Sequence, residues 1–450
     1  MDTVLHLSRR RSGITVAAPS ALAVAILGFG LLVGSTHLEA TDSQPQRPWS
    51  LDQSTVSHQL KEFIAAKEAQ AQALAKLEGK ELPPEFPAFF AAAAKGDAGS
   101  VTNLLDTMRK HYPSYGGNDQ SLSETAWEPM LEVGGALEVF AIAGDKYARA
   151  TGEDIIKSIP PRSIYFGGTD WGRFLITALS TSHINANPFF TITPKFFTQT
   201  QTGLITRNDN LGYLRSMYGK WMKIPTDQDV QRCVQDYASE LRDRQIRGAR
   251  LSPDEQVTTE GGAVQVRGVQ AAMNLDAQIA KLIFDANPDR EFYYEESFVI
   301  PWMYHYVEPH GLILKLNRNP LTHIDSATIE KDREFWDGLT KQLLADPEYL
   351  NNKWTRAHHA KLRSAIAGVY AYRRMMGEAE YAFKQAVALD PSSPEANFRL
   401  AQLCTEQNRF DDTIKVLTAL QQRDPTNPKL QAVISQVEHL QQSKQPETPH

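Results

Sequence analysis

The stretch AKLRSAIAGVYAYRRMMGEAEYAFKQAVALDP (Ala360–Pro391) reads as two amphipathic helices joined by a short turn. Ile366, Ala367 and Tyr370 form the apolar stripe of the first helix, and Ala379, Phe383 and Ala386 form that of the second. The small residues let the two helices approach closely, and the large ones fill the space between them. Pro391 ends the second helix, because proline lacks an N–H and clashes with the preceding turn. Thirty-four residues after Asp390-Pro391 the same dipeptide recurs as Asp424-Pro425.

That period and those residue types match a tetratricopeptide repeat, a helical hairpin that stacks into a solenoid. Such a unit binds partners and performs no chemistry. The second repeat starts at Pro394 and keeps Leu400, Ala401 and Pro425. It is degenerate, with Asn397, Cys404, Thr413, Leu417 and Leu420 where the pattern has Trp, Tyr, Ala, Phe and Ala. From Pro428 to Gln441 a single helix follows, with Leu430, Val433, Ile434, Val437 and Leu440 on one side and a polar face opposite, as a cap requires. About three repeats are usually needed for independent stability. Two readings of the array therefore stand: a scaffold packed on the preceding domain, or an open peptide groove. The candidate partner contacts are Tyr370 in the first repeat and Asn397 and Arg399 in the second.

At the other end of the chain, residues 14–36 (ITVAAPSALAVAILGFGLLVGST) carry no charged side chain. This run of 23 residues is long enough to cross a hydrocarbon layer of roughly 30 Å. Arg9, Arg10 and Arg11 precede it, so the positive-inside rule predicts a cytoplasmic tail over 1–13, a transmembrane anchor over 14–36, and an extracytoplasmic, periplasmic remainder. The competing reading is a cleaved signal peptide. The run exceeds the usual apolar core of about 7–15 residues, which favours the anchor. Net charge is −6, which argues against nucleic acid as a partner. Cys233 and Cys404 lie in different predicted domains and have no metal-ligand spacing. They either pair in an oxidising compartment or serve as small buried hydrophobes.

Between the two ends, residues 51–151 read as a helical region. Leu60, Phe63, Ile64, Ala71, Leu74 and Leu77 line one helix, which Gly79 and Pro83-Pro84 end. A hairpin follows over Phe86–Tyr112, with Ser100 as an N-cap. Glu124–Thr151 reads as one helix, with a bend at Gly134-Gly135. Residues 160–345 change character. Ser163–Phe166 reads as a strand, Gly167–Asp170 as a loop, Trp171–Thr181 as a helix and Asn187–Thr193 as a second strand. That order is a βαβ unit with a parallel pair. Asp227–Arg244 is a helix with Val230, Val234, Tyr237 and Leu241 inward, and Arg247–Gln265 reads as a mobile loop. A helix over Ala271–Ala286, a strand over Gly311–Leu316 and a helix over Asp325–Leu344 complete this region. The predicted fold class is thus α+β to α/β. It comprises an N-terminal transmembrane helix, a helical segment, a small α/β domain with a partly parallel sheet, and a C-terminal α-helical tetratricopeptide solenoid over 360–441.

Two blocks carry a further resemblance: IYFGGTDWGRF (Ile164–Phe174) followed by NPFFTIT, and FYYEESFVIPWMYHYVEPHGLILKLN (Phe292–Asn317). They resemble the soluble region of bacterial membrane proteins of the protein O-mannosyltransferase-like group, within the glycosyltransferase-C superfamily. The resemblance covers 160–317. It implies a shared accessory domain and does not imply a transferase, because the catalytic acids of that superfamily sit in a many-span membrane domain that this chain lacks. No catalytic residue carries over.

Gly167, Gly168, Thr169, Asp170 and Arg173 stand where a strand end meets a helix N-terminus, a place suited to anions. The loop is neither GxGxxG nor a P-loop, so a capped turn with Asp170 as the cap is the competing reading. His310 is grouped with these residues as a ligand contact. His305, Glu308 and His310 do not have the HExxH spacing, and no metal or cofactor is expected. Glu295-Glu296 would face opposite sides of a strand. Asn208-Asp209-Asn210 reads as a turn. Tyr293, Tyr294, Trp302, Tyr304 and Tyr306 could stack on a sugar or form core. The function expected is a single-pass, membrane-anchored scaffold that recruits protein partners in the cell envelope, with polytopic glycosyltransferases as candidates. The alternative is an envelope carbohydrate-binding or glycan-modifying protein acting through the α/β domain.

Overall fold

Helix α1 (His58–Glu78) shows how the N-terminal layer is built. Ser57 accepts the Leu60 N–H at 3.3 Å, and Gly79 ends the helix at φ +64°. Leu60, Phe63, Ile64, Ala71 and Leu74 face inward as their spacing predicts. Leu77, expected on the same stripe, is exposed in the last turn, and Lys67 is buried among them instead. The computed structural model to which these elements belong describes residues 57–113, 117–167, 171–180, 182, 186–192, 198–201, 204–207, 210–248, 255–260, 263–295 and 299–444. The predicted anchor over 14–36 and the loop residues Gly168, Thr169 and Asp170 lie outside them. Among the described residues, no helix is long and apolar enough to cross a membrane.

Helices α2 (Phe86–Ala94) and α3 (Ala98–Met108) form the expected hairpin. The cap of α3 is Asp97, to which the backbone N–H and hydroxyl of Ser100 both donate, at 3.0 and 2.7 Å. Ser100 is therefore the third residue of the helix, not its cap. The single helix expected over Glu124–Thr151 is two, α4 (Trp127–Ala143) and α5 (Asp145–Ser158), separated at Gly144 with φ +77°. No break falls at Gly134-Gly135. These glycines serve close packing: a Cβ on Gly135 would lie 2.3 Å from the Phe174 ring, and one on Gly134 2.2 Å from Leu105. One apolar cluster joins Leu60, Phe89, Trp127, Met130 and Phe140 to Leu175, Leu179 and Tyr213. The helical segment and the start of the α/β region thus share a core.

Strand β1 (Ile164–Phe166), helix α6 (Trp171–Leu179) and strand β2 (Phe190–Ile192) make the expected βαβ unit, with β1 and β2 parallel. The chain continues through β3 (Thr198–Gln201), β4 (Leu204–Arg207), α7 (Asn210–Tyr218), α8 (Asp227–Ile246), β5 (Gln256–Glu260), β6 (Ala263–Arg267) and α9 (Val269–Ala286). It then adds β7 (Phe292–Tyr294), β8 (Val307–His310) and β9 (Ile313–Leu316). The main sheet has the order β2-β1-β7-β9-β8. β7 lies parallel to β1, and β9 and β8 run antiparallel after it. The hairpin β8–β9 turns at Gly311, φ +60°, so the single strand expected there is the second arm of a pair. Phe292 meets Phe166 beside it in the sheet and Phe284 of α9, and the Arg318 guanidinium lies 3.9 Å over the Phe284 ring. A second, antiparallel sheet has the order β3-β4-β6-β5. Its β5–β6 hairpin replaces the mobile loop expected within Arg247–Gln265. The Val/Thr content of QVTTE and AVQVR, and the Gly-Gly between them, are hairpin signals that the charged flanks obscure.

Helices α10 (Ser326–Leu344), α11 (Pro347–Asn351), α12 (Lys353–Tyr372) and α13 (Met376–Leu389) follow. α12 and α13 form the hairpin expected of the first repeat. Ile366, Ala367, Tyr370, Ala379, Phe383 and Ala386 are all buried, as the pattern requires. α12 begins at Lys353, earlier than the repeat start at Ala360, because Asn352 accepts the Thr355 N–H at 3.0 Å and caps it there.

The chain divides into two compact units after Pro391. The second holds α14 (Pro394–Glu406), α15 (Phe410–Gln421) and α16 (Pro428–Lys444). Its core gathers Phe398, Ala401, Phe410, Leu417, Leu420, Leu430, Val433, Ile434 and Val437. Thr413, in place of the pattern's alanine, is fully buried with its hydroxyl 3.1 Å from that of Thr405. The protein is mostly helical, with a small, partly parallel sheet and a helical C-terminal region.

Candidate functional site

From β1 the chain passes to β2 on one side, and β7 lies on the other. The carboxyl ends of β1 and β7 therefore flank a topological switch point, where open α/β sheets place ligands. Gly167 closes β1, its N–H donating to Ile192 O at 2.8 Å. Glu295 closes β7 and is buried. Its backbone N–H donates to Phe166 O at 2.9 Å, and its carboxylate accepts the Tyr165 hydroxyl. Gly172, in the first turn of α6, lets that carboxylate come close, since a Cβ there would stand 2.2 Å from Glu295 Oε2. Sequence reasoning set Glu295 aside because it judged the Glu295-Glu296 pair as one unit. The glycine two residues after Asp170 is the signal that could have found it.

The backbone of Arg173 adjoins Gly167, but its side chain leaves this crevice. It is buried in the helical layer, where its guanidinium donates to the Glu128 carboxylate. Around it sit Lys67 of α1, Glu132 of α4 and Tyr213 of α7. Lys67 Nζ pairs with Glu132 and donates to Tyr213 Oη at 2.9 Å and to Gln70 Oε1 at 3.0 Å. The Tyr213 hydroxyl donates to Glu132 at 2.9 Å. Burial lowers the Lys67 ammonium against the pull of Glu132. Burial also pushes Glu128 up, more than the neighbouring Arg173 pulls it down. In Glu132 burial is outweighed by Lys67 and Arg173, which hold its carboxyl below the usual range. Two cations and two carboxylates balance, so the cluster holds helices together and offers no free charge to a ligand.

His310 lies in β8, three strands from β1, or about 14 Å at ordinary strand spacing. Its Nε2 is 2.9 Å from Ser158 O, and its ring packs 5.0 Å from that of Tyr293. The expected ligand contacts Arg173 and His310 are thus not brought together. Arg173 is drawn to Glu128 by the buried carboxylate's need for a partner, and His310 to the end of α5 by a free carbonyl. His305 is exposed with Nε2 2.8 Å from the Tyr372 hydroxyl. Among the described residues no group of His, Cys, Asp and Glu could hold a metal ion. Tyr293 and Tyr294 are core, while Trp302 and Tyr306 close on Phe284.

In the first repeat, Tyr370 is buried and its hydroxyl donates to Asp332 of α10 at 3.0 Å. Arg363 stands where the repeat pattern has tryptophan. It is 1% exposed, with Nη1 2.8 and 2.9 Å from the two Asp332 oxygens and Nε donating to Gln385 at 2.8 Å. Sequence reasoning missed this pair, although an arginine at the pattern's aromatic position was visible. In the second repeat Asn397 is buried and donates to Ser393 O at 2.8 Å, and Arg399 pairs with Glu395 at 3.0 Å. Tyr370 and Asn397 are enclosed by their own chain, and Arg399 is the partly accessible one of the three.

Comparison with known proteins agrees on one region. Residues 374–437 match the tetratricopeptide repeat family, across the second helix of the first hairpin and the whole of the second. Searches of curated proteins and of solved structures each give no match, so the resemblance of residues 160–317 to the O-mannosyltransferase-like group gains no support. Tetratricopeptide repeats serve protein–protein interaction, and the repeat region accordingly suggests a protein-interaction scaffold.

Proposed function

We propose that this chain is a membrane-anchored, extracytoplasmic scaffold that recruits protein partners in the cell envelope through its repeats. The observation that carries recruitment is the repeat match over 374–437, together with two hairpins whose cores follow the repeat pattern. The anchor and the location rest on the uncharged run 14–36 behind Arg9, Arg10 and Arg11. Polytopic glycosyltransferases are candidate partners on the resemblance of residues 160–317 alone. A second reading, carbohydrate binding by the α/β region, is favoured by the buried Glu295 at the switch point. It is weakened by Arg173 and His310, which do not meet there.

The test is affinity capture from detergent-solubilised membranes with the full chain and with a chain ending at Asn352, which lacks both repeat hairpins. Recruitment through the repeats predicts that partners captured by the full chain are lost from the shorter one. Equal recovery from both removes the repeats from the recruitment role. Recovery of the chain from the soluble fraction alone removes the anchor.

A further inference from the structure

A helix that docks on a repeat ordinarily offers an apolar stripe. The stripe of α10 runs Ile329, Asp332, Trp336, Leu339 and Leu343, with a carboxylate in its middle. Only Asp332, Trp336 and Leu343 are buried. Polar groups make much of its attachment to α12 and α13. Asp332 takes Arg363 and the Tyr370 hydroxyl. Asp337 accepts the Tyr381 hydroxyl and the Gln385 amide, each at 2.6 Å. The Arg363 guanidinium also lies 5.1 Å from the Trp336 ring, and that of Arg333 4.8 Å from Tyr381. The indole N–H of Trp336 donates to Gly311 O at 3.2 Å.

A buried ion pair is seldom more stabilising than apolar packing of the same shape, and its clearest use is specificity. The aromatic of the repeat pattern would pack this position without a carboxylate opposite. Arginine there makes the face discriminating: it is satisfied by an acidic helix and left with a buried charge by an apolar one. An aromatic anchor rimmed by groups with fixed hydrogen-bond partners is also how interface hot spots are organised.

We infer that α10 is a resident ligand of the first repeat. The protein partner this face takes is then a helix of the same chemistry, an aromatic anchor with carboxylates four residues before and one after, which binds by displacing α10. The inference deepens the reading of the repeats as partner-binding and rests on it.

The probe is a fluorescent peptide of residues 326–344, titrated by anisotropy onto the full chain and onto the full chain carrying D332A and D337A. These substitutions remove the internal carboxylates and leave Arg363, Tyr381 and Gln385 in place. The peptide should bind the substituted chain at least about tenfold more tightly, as expected if α10 leaves the face open in the unmodified chain no more than about a tenth of the time. A peptide with both aspartates changed to alanine should lose at least about tenfold on the substituted chain, the loss of two charge-assisted contacts. Equal affinity of the peptide for both chains, or of both peptides for the substituted chain, overturns the inference. The unmodified chain supplies an independent measurement, whether or not the variant folds. In hydrogen exchange the α10 amides should exchange at least about tenfold faster than those of α12, as a separately opening segment does. Equal protection of the two helices overturns it as well. The titration reads the α10 face alone and needs no membrane, so it can fail while the capture experiment succeeds, and the converse.

Discussion

The protein buries charge in two places, and the two are built differently. Lys67, Glu128, Glu132 and Arg173 come from α1, α4 and α6, and they sit beside an apolar cluster that the same helices share. Asp332 and Arg363 join α10 to the first repeat, where polar side chains provide much of the contact. In the first place apolar packing holds the helices together whatever the charges do, so an orphaned charge has nowhere to go. In the second, the element that carries the carboxylate can move away and hydrate it. The same chemical pair is therefore a lock in one region and a latch in the other.

Breaking one partner in each place sharpens that contrast. Lys67→Met leaves Glu132 buried with the Tyr213 hydroxyl as its remaining close donor, and should destabilise the protein by about 3–5 kcal/mol. The pair K67M/E132L removes both charges and should recover to within roughly 1–2 kcal/mol of the parent, since apolar replacement of a buried pair is often near neutral. Urea midpoints at constant m-value check both. If the double substitution is as damaging as the single one, the cluster does more than join helices. Arg363→Met should cost less, about 2–3 kcal/mol, because Asp332 keeps the Tyr370 hydroxyl and α10 can lift into water. Its loss should be confined to faster hydrogen exchange in α10. Uniform loss of protection would make the second cluster a lock like the first.

The difference also explains what could be read from the chain beforehand. The repeat stripe at Ile366, Ala367, Tyr370, Ala379, Phe383 and Ala386 was legible because helical periodicity and the 34-residue echo are local signals. The βαβ unit was legible for the same reason, as a strand, a glycine loop, a helix and a strand in sequence. Lys67 was not legible as a core residue. It occupies an inward position on α1, yet a lysine at such a place reads as a break in the stripe unless its partner is known. That partner, Glu132, lies 65 residues away on another helix. Arg173 was read toward the nearest loop, while the group that draws it, Glu128, lies 45 residues away. The β5–β6 hairpin was hidden by the charged residues around it. Element identity follows from local pattern, whereas the direction of a charged side chain follows from a tertiary partner that one sequence does not name.

His359 tests the boundary between the two regions, because it belongs to the repeat helix α12 and faces α5. Its Nδ1 is 2.9 Å from Thr355 O, and its Nε2 is 3.5 Å from the hydroxyl of Thr151. Burial drives its pKa down to about 4, against a weaker upward pull from the Thr355 carbonyl. The unfolded chain, with histidine near 6.5, therefore takes up this proton before the folded one does. The stability His359 supports is complete above about pH 6.5 and is lost as the pH falls toward 4. Between pH 7 and pH 5 the loss should be about 2 kcal/mol. The His359→Phe chain should lack that part of the pH slope, whatever its stability at pH 7. Urea midpoints at pH 7, 6 and 5 for both chains give the difference directly. Parallel slopes would mean that water reaches the imidazole, and that α12 meets α5 through a contact as loose as the one it makes with α10.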